Sequence, residues 1–372
     1  MRPKLVAMNT EFDLNKRPLV VIWETTQSCD LACYHCRACA QPKRHPLELT
    51  TAEGEKLMDE MTELRPPIFI FTGGDPLKRP DIFHLVRYAA DRGLHPAMTP
   101  SATPLLTRES IAQLKKSGLS RLAVSLDGSV PELHDVFRGV PGSYARTLEA
   151  IHWANEAGLP IQVNTSVTTR NIADLENMAN LLKNFKIVLW SVFFLIPMGR
   201  GQMGDLPSGE EFEEAFTRLY RFAGEFPFKI KTTEAQHYRR FILQQRKRAG
   251  DLKMVKPAID GLEQGGPGLL PINDGKGFVF VSHIGEVYPS GFLPVSGGSL
   301  RKKTLTEIYQ DSELFTSLRD TDNLKGKCGE CEYREICGGS RARAYAMTGD
   351  LFSEEPCCTY QPASRQADLK QV

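Results

Sequence analysis

Between residues 19 and 225 apolar runs alternate with amphipathic stretches, and this alternation leaves the chain very few folds. Strand-like runs occupy Leu19–Trp23, Ile68–Phe71, Pro96–Met98, Leu122–Leu126, Ile161–Val167 and Ile187–Ile196. Helical patterns follow at Thr51–Leu64, Ile82–Arg92, Ser110–Ser117, Ser143–Ala157, Leu175–Asn184 and Gly209–Ala223. Thr50 or Thr51 caps the first helix, with Glu53 and Glu55 in its opening turn, and Asn171 and Asp174 offer caps for the fifth. Six βα units predict an α/β protein, a partial (β/α)6 TIM-like barrel whose functional loops lie at the strand C-terminal ends. An open doubly wound sheet is the alternative, but it lacks a glycine-rich phosphate turn after the first strand.

The cysteines narrow the chemistry. All nine fall in two groups: Cys29, Cys33, Cys36 and Cys39, then Cys328, Cys331, Cys337, Cys357 and Cys358. A disulfide framework belongs to small secreted domains, so ligation of a metal or cluster in a reducing compartment is the better reading. Cys29, Cys33 and Cys36 supply three thiolates, one short of the four that close a cubane iron–sulfur cluster. An open iron can activate a small molecule, as an open position does in catalytic zinc sites. Cys39, if it ligated, would close that position, and it reads as a bystander. In the second group Cys328-x2-Cys331-x5-Cys337-x20-Cys358 offers a full set, with Cys357 as a rival for the last place. The spacing alone leaves an iron–sulfur cluster and a structural zinc both open.

The remainder divides the chain. Residues 1–18 form an N-terminal extension without a signal-peptide core, 19–225 the barrel and 226–275 a linker carrying a basic helix. In 276–372, Phe278–Ser282 and Glu286–Tyr288 read as a β-hairpin, followed by a helix over Leu305–Leu318. Gly261 to Pro271 reads as loop, and this last domain is short of apolar residues, so a bound cluster would cross-link it. A formal net charge of +1 speaks against nucleic acid as a partner, and no apolar run is long enough to span a membrane. The expected location is cytoplasmic.

Cys29-Asp30-Leu31-Ala32-Cys33-Tyr34-His35-Cys36, directly after a first strand, resembles the signature of the radical S-adenosylmethionine (SAM) superfamily. The resemblance implies that the open iron of a [4Fe-4S] cluster chelates SAM, whose cleavage yields a 5′-deoxyadenosyl radical. It also implies SAM contacts from several strand ends. Gly73-Gly74-Asp75-Pro76 would present backbone carbonyls to the SAM amino group, with Asp where Glu is more usual. Ser125, Asp127 and Asn164 would lie near ribose and carboxylate. Arg138 would pair with the SAM carboxylate or with Asp135. Pro197 and Met198 would run along the adenine, and His35, or else Tyr34, would stack on it. Thr99 to Thr103 replaces a more usual Thr-Asn-Gly and leaves the role of Ser101 open.

The second cysteine group, with Cys337-Gly338-Gly339-Ser340-Arg341-Ala342-Arg343, resembles the SPASM or twitch extension of that superfamily. Ser290 and Ser340 stand where further cysteines would serve another cluster, so one auxiliary [4Fe-4S] cluster is expected, on Cys328, Cys331, Cys337 and Cys358. The single C-terminal set and the His35-Cys36 ending resemble the haem-biosynthesis branch. That branch implies oxidative removal of carboxylate side chains from an iron porphyrin, with flavodoxin or ferredoxin as electron donor. Arg239, Arg240 and Arg246 would suit propionates as a clamp or form a solvated face. A peptide-modifying maturase is the alternative within the superfamily. A non-enzymatic iron–sulfur or zinc protein is the alternative outside it, and it leaves the Gly73–Pro76 and Ser125–Asp127 placements without a purpose.

Overall fold

The computed structural model describes residues 12–250 and 270–368. The first eleven residues of the expected N-terminal extension, and most of the loop read over Gly261 to Pro271, lie outside them. Ten strands form one sheet in the order β10-β9-β8-β1-β2-β3-β4-β5-β6-β7. They are β1 (Val20–Glu24), β2 (Ile68–Thr72), β3 (Pro96–Met98), β4 (Arg121–Ser125), β5 (Ile161–Val167), β6 (Ile187–Phe194), β7 (Lys229–Thr233), β8 (Phe278–Val281), β9 (Glu286–Tyr288) and β10 (Gly298–Ser299). β8 and β1 to β7 run parallel, and only the β8–β9–β10 hairpin turns back. The order is linear, so the barrel stays partial and open.

Helices on the outer face cover the sheet: α1 (Thr51–Leu64), α2 (Ile82–Asp91), α3 (Arg108–Lys116), α4 (Pro131–Arg138), α5 (Ser143–Glu156), α6 (Leu175–Leu182), α7 (Gly209–Glu225) and α8 (His237–Arg248). α1 starts as its sequence requires. The Thr50 hydroxyl accepts from Glu53 N while the Glu53 carboxylate takes Thr50 N, which satisfies two orphan donors at once. Alternate strand residues such as Val21, Trp23, Phe69, Phe71, Val163 and Trp190 face these helices in one large core. The other face is concave. At the strand N-terminal ends Phe12, Leu14, Leu19, Val20 and Leu270, with Ile22, Ile68, Ile70 and Phe278, plug it. Toward the C-terminal ends it turns polar.

Three features differ from the sequence reading. Residues 229–233 extend the parallel sheet rather than a linker, and β8 joins β1 directly, so the hairpin belongs to the same sheet as the barrel. α4 is an added helix between β4 and α5. The single helix expected over Leu305–Leu318 is two, Leu305–Asp311 and Glu313–Arg319, because Ser312 adopts extended φ/ψ and caps the second by accepting from Phe315 N. Among the described residues no helix is long and apolar enough to cross a membrane.

Candidate active site

The Cys29–Cys36 loop leaves β1 at the C-terminal rim. Cys29, Cys33 and Cys36 share one small cluster with Leu31, Ala40 and Val140, whereas Cys39 is exposed and left-handed at φ 47°. Donors aim at the sulfurs: Leu31 N at Cys29 Sγ (3.3 Å), Ala40 N at Cys36 Sγ (3.5 Å) and Arg138 Nη1 at Cys33 Sγ (3.6 Å). Burial pushes the Cys29 and Cys33 thiols up, and the Arg138 guanidinium draws Cys33 back toward thiolate. Three neighbouring sulfurs that accept N–H bonds fit a cluster held by thiolates.

Neighbouring strand ends lock this loop in place. A Cβ on Gly74 would fall 2.5 Å from Ser28 O, and one on Gly73 2.4 Å from Thr26 O. The two glycines therefore make room for the chain's own backbone, not only for a ligand. Asp75 is fully buried and accepts from Thr103 Oγ1 (2.7 Å), Leu77 N (3.2 Å) and Ser101 N (3.4 Å). Burial raises its pKa to about 6. Ser101, whose role the sequence left open, donates to Gly74 O (2.8 Å) and touches Cys29 Sγ (3.3 Å). On the far side Arg200 N donates to Cys36 O (3.0 Å), and Gly199, at φ 58°, lies where a Cβ would meet Cys36 O at 2.5 Å.

Arg138 does not pair with Asp135, one of the two partners expected of it. It forms an ion pair with Asp127, which is wholly buried and also accepts from Ser166 N (2.8 Å). Desolvation opposes the Asp127 charge, but Arg138 outweighs it and holds the carboxyl below its usual range. Asp135 instead takes Gly142 N, Ser143 Oγ and Tyr144 N at the start of α5. Asp75 and Asp127 thus stand behind the rim, while His35, Gly73, Gly74, Ser125, Asn164 and Pro197 remain partly exposed on it. His35 packs on Phe137, ring centroids 4.8 Å apart, with its buried Nδ1 unpartnered. Desolvation holds its pKa down to about 4.

Ser125, Asn164, Ser191 and Lys231 pair in register across β4 to β7 and share the concave face. Asn164 Oδ1 accepts from Gln162 Nε2 (2.7 Å). Ile230 packs into the helix-side core, so Lys231 points the other way, into the open crescent. Surrounding protein and the nearby Arg121 charge lower its amine to about 8. The sequence reading passed over Lys231; the alternation Lys229, Lys231, Thr233 was the signal available. Of the arginines that reading offered as a clamp or a solvated face, Arg239 donates to Ile336 O (2.9 Å) and Ile272 O (2.6 Å), and Arg240 pairs with Glu213.

The second cysteine group gathers elsewhere. Cys328, Cys331, Cys337 and Cys358 line one cavity together with Arg240, Lys327 and Arg334, whereas buried Cys357 turns toward Pro207 O (3.9 Å). Glu355 N donates to Cys328 Sγ (3.3 Å) and Gly339 N to Cys337 Sγ (3.4 Å). Among the described residues no three His, Cys, Asp or Glu converge on a point that could hold one metal ion. Four thiols ringing a cavity form a donor set that a four-thiolate iron–sulfur cluster or a structural zinc could use. Arg343 ties this region to the barrel. It pairs with Glu355 (3.1 Å) and donates to Glu234 O (2.6 Å) and Leu195 O (3.2 Å).

The radical SAM superfamily matches residues 23–182, which hold the end of β1, the three-cysteine loop and β2 to β5. A protein of Methanosarcina barkeri named AdoMet-dependent heme synthase is 42% identical over 95% of this chain and 99% of its own length. The chain belongs to the radical SAM superfamily, in its haem-biosynthesis group. A second protein of that name, from Oleidesulfovibrio alaskensis, is 40% identical over 94% of this chain and 89% of its own. The solved structure of Streptococcus suis SuiB bound to S-adenosylmethionine superposes with a TM-score of 0.72. It covers 93% of this chain and 78% of SuiB at 15% identity, which speaks to the fold alone. This radical SAM protein is therefore an enzyme, and its superfamily implies a [4Fe-4S] cluster and SAM.

Proposed function

We propose that this radical SAM enzyme removes carbon dioxide from propionate side chains of an iron porphyrin, converting them to vinyl groups. The observation that carries this reading is the near end-to-end likeness to two haem synthases. A bound cluster and SAM would supply a 5′-deoxyadenosyl radical. A propionate that loses one hydrogen atom to it would release carbon dioxide and one electron and keep a vinyl group.

Cys29, Cys33 and Cys36 hold the first cluster, and Arg138 steadies the Cys33 thiolate. His35, Gly73, Gly74, Ser125, Asn164 and Pro197 edge the SAM pocket, with Asp75, Asp127 and Arg138 bracing it from behind. Cys328, Cys331, Cys337 and Cys358 hold one auxiliary [4Fe-4S] cluster, and a one-electron donor such as flavodoxin or ferredoxin feeds the enzyme. Lys231 binds a substrate carboxylate at the edge of the crescent, because its exposed ammonium can form a charge-assisted hydrogen bond there.

Lys231→Gln should raise the porphyrin KM roughly tenfold or more, since hydrogen bonds to charged groups contribute about 1.5–3 kcal/mol. In the wild type, porphyrin affinity should weaken as pH rises through about 8, where the amine loses its proton. An unchanged KM would remove Lys231 from the site. The function itself is tested by anaerobic incubation with dithionite, SAM and an iron porphyrin bearing propionates. Mass spectrometry should show loss of carbon dioxide. An unaltered porphyrin together with a cross-linked peptide substrate would favour the maturase alternative.

A further inference from the structure

His237 opens α8 in the wall of the four-cysteine cavity. It is 1% exposed, and neither ring nitrogen has a hydrogen-bond partner. Phe212 stacks on the ring at 5.2 Å between centroids, and Phe216 meets it edge-on at 4.9 Å. These contacts fix the ring but offer its nitrogens nothing. An imidazole always carries at least one N–H donor, and buried donors in native proteins are almost always paired. His237 lines the cavity among the cysteines.

The rest of the wall has the same character. Two backbone N–H groups already aim at Cys328 and Cys337 sulfurs, and Arg240 and Lys327 add positive charge. A cluster on four thiolates is an anion that gains a further negative charge on reduction. Hydrogen bonds to its sulfurs therefore favour the reduced state and raise the potential. We infer that His237 donates its ring N–H to a sulfur of the auxiliary cluster and sets that cluster's reduction potential. His237 is a positioning residue: it affects electron transfer only through the cluster. The inference rests on the auxiliary-cluster part of the proposed function but not on the porphyrin, because the potential is measured without substrate.

The test is a redox titration of the reconstituted full chain, following the auxiliary cluster's electron paramagnetic resonance signal. His237→Phe keeps the ring contacts and lacks the donor, so the midpoint should move to a more negative potential at unchanged iron content. His237→Gln restores an N–H and should return most of that shift. A wild-type midpoint in His237→Phe at full iron content overturns the inference. If His237→Phe cannot hold its iron, the reduced wild type decides. Double-resonance spectra of protein with isotopically labelled histidine should show a ring nitrogen coupled to the auxiliary cluster, and absence of that coupling overturns the inference. Wild type with only about four irons per chain overturns it together with the second cluster. Failure to decarboxylate a porphyrin, by contrast, leaves it standing.

Discussion

Cys33→Ala should abolish 5′-deoxyadenosine formation and, with the proposed auxiliary cluster in place, lower bound iron from about eight to about four per chain. Cys33 has no substitute within reach: of the remaining thiols in its group, Cys29 and Cys36 are already needed and Cys39 is exposed outside the cluster. Cys39→Ala should accordingly keep both iron and turnover. The two variants together separate ligation from general thiol loss. Deoxyadenosine from Cys33→Ala, or its loss in Cys39→Ala, would assign the wrong three sulfurs.

Arg343→Met is expected to destabilise the protein by about 3–5 kcal/mol, the cost of leaving a buried charge unpaired. Glu355 is wholly buried, and the Arg343 charge is the first cause opposing desolvation and holding its carboxyl below the usual range. The same guanidinium carries bonds to Glu234 O and Leu195 O, so its loss also frees the cysteine-bearing segment from β7 and β6. Denaturant titration should show the midpoint fall, and iron analysis should show the auxiliary set emptied while the Cys29–Cys36 iron persists. A wild-type midpoint would mean that the bolt does not hold the two parts together.

Much of this was legible in the sequence because it rests on local pattern. β1 to β6 announce themselves through apolar content, and the cysteine loops through spacing. β7 did not, since Lys229–Thr233 buries only Ile230 among five residues at the edge of the sheet. α4 gave little apolar signal, since only His134 and Phe137 of its eight residues are buried. Side-chain contacts that the sequence did not show depend on partners set by the fold. Arg239 bonds carbonyls 33 and 97 residues away, so no local pattern could show that it was already engaged. Asp127 and Arg138, read separately as ligand candidates, also pair with each other, and Arg138 reaches the cysteine loop at Cys33 Sγ. The sequence reading took Cys358 with Cys357 as its rival, and packing puts Cys357 in the core and Cys358 on the cavity.

Hydrogen transfer tests the central claim most directly. An iron porphyrin deuterated in its propionate methylenes should be incubated anaerobically with the reconstituted enzyme, SAM and dithionite. Deuterium should appear in 5′-deoxyadenosine, with one carbon dioxide released for each label transferred. Unlabelled deoxyadenosine with an intact porphyrin would contradict the account and place the radical's target on another molecule.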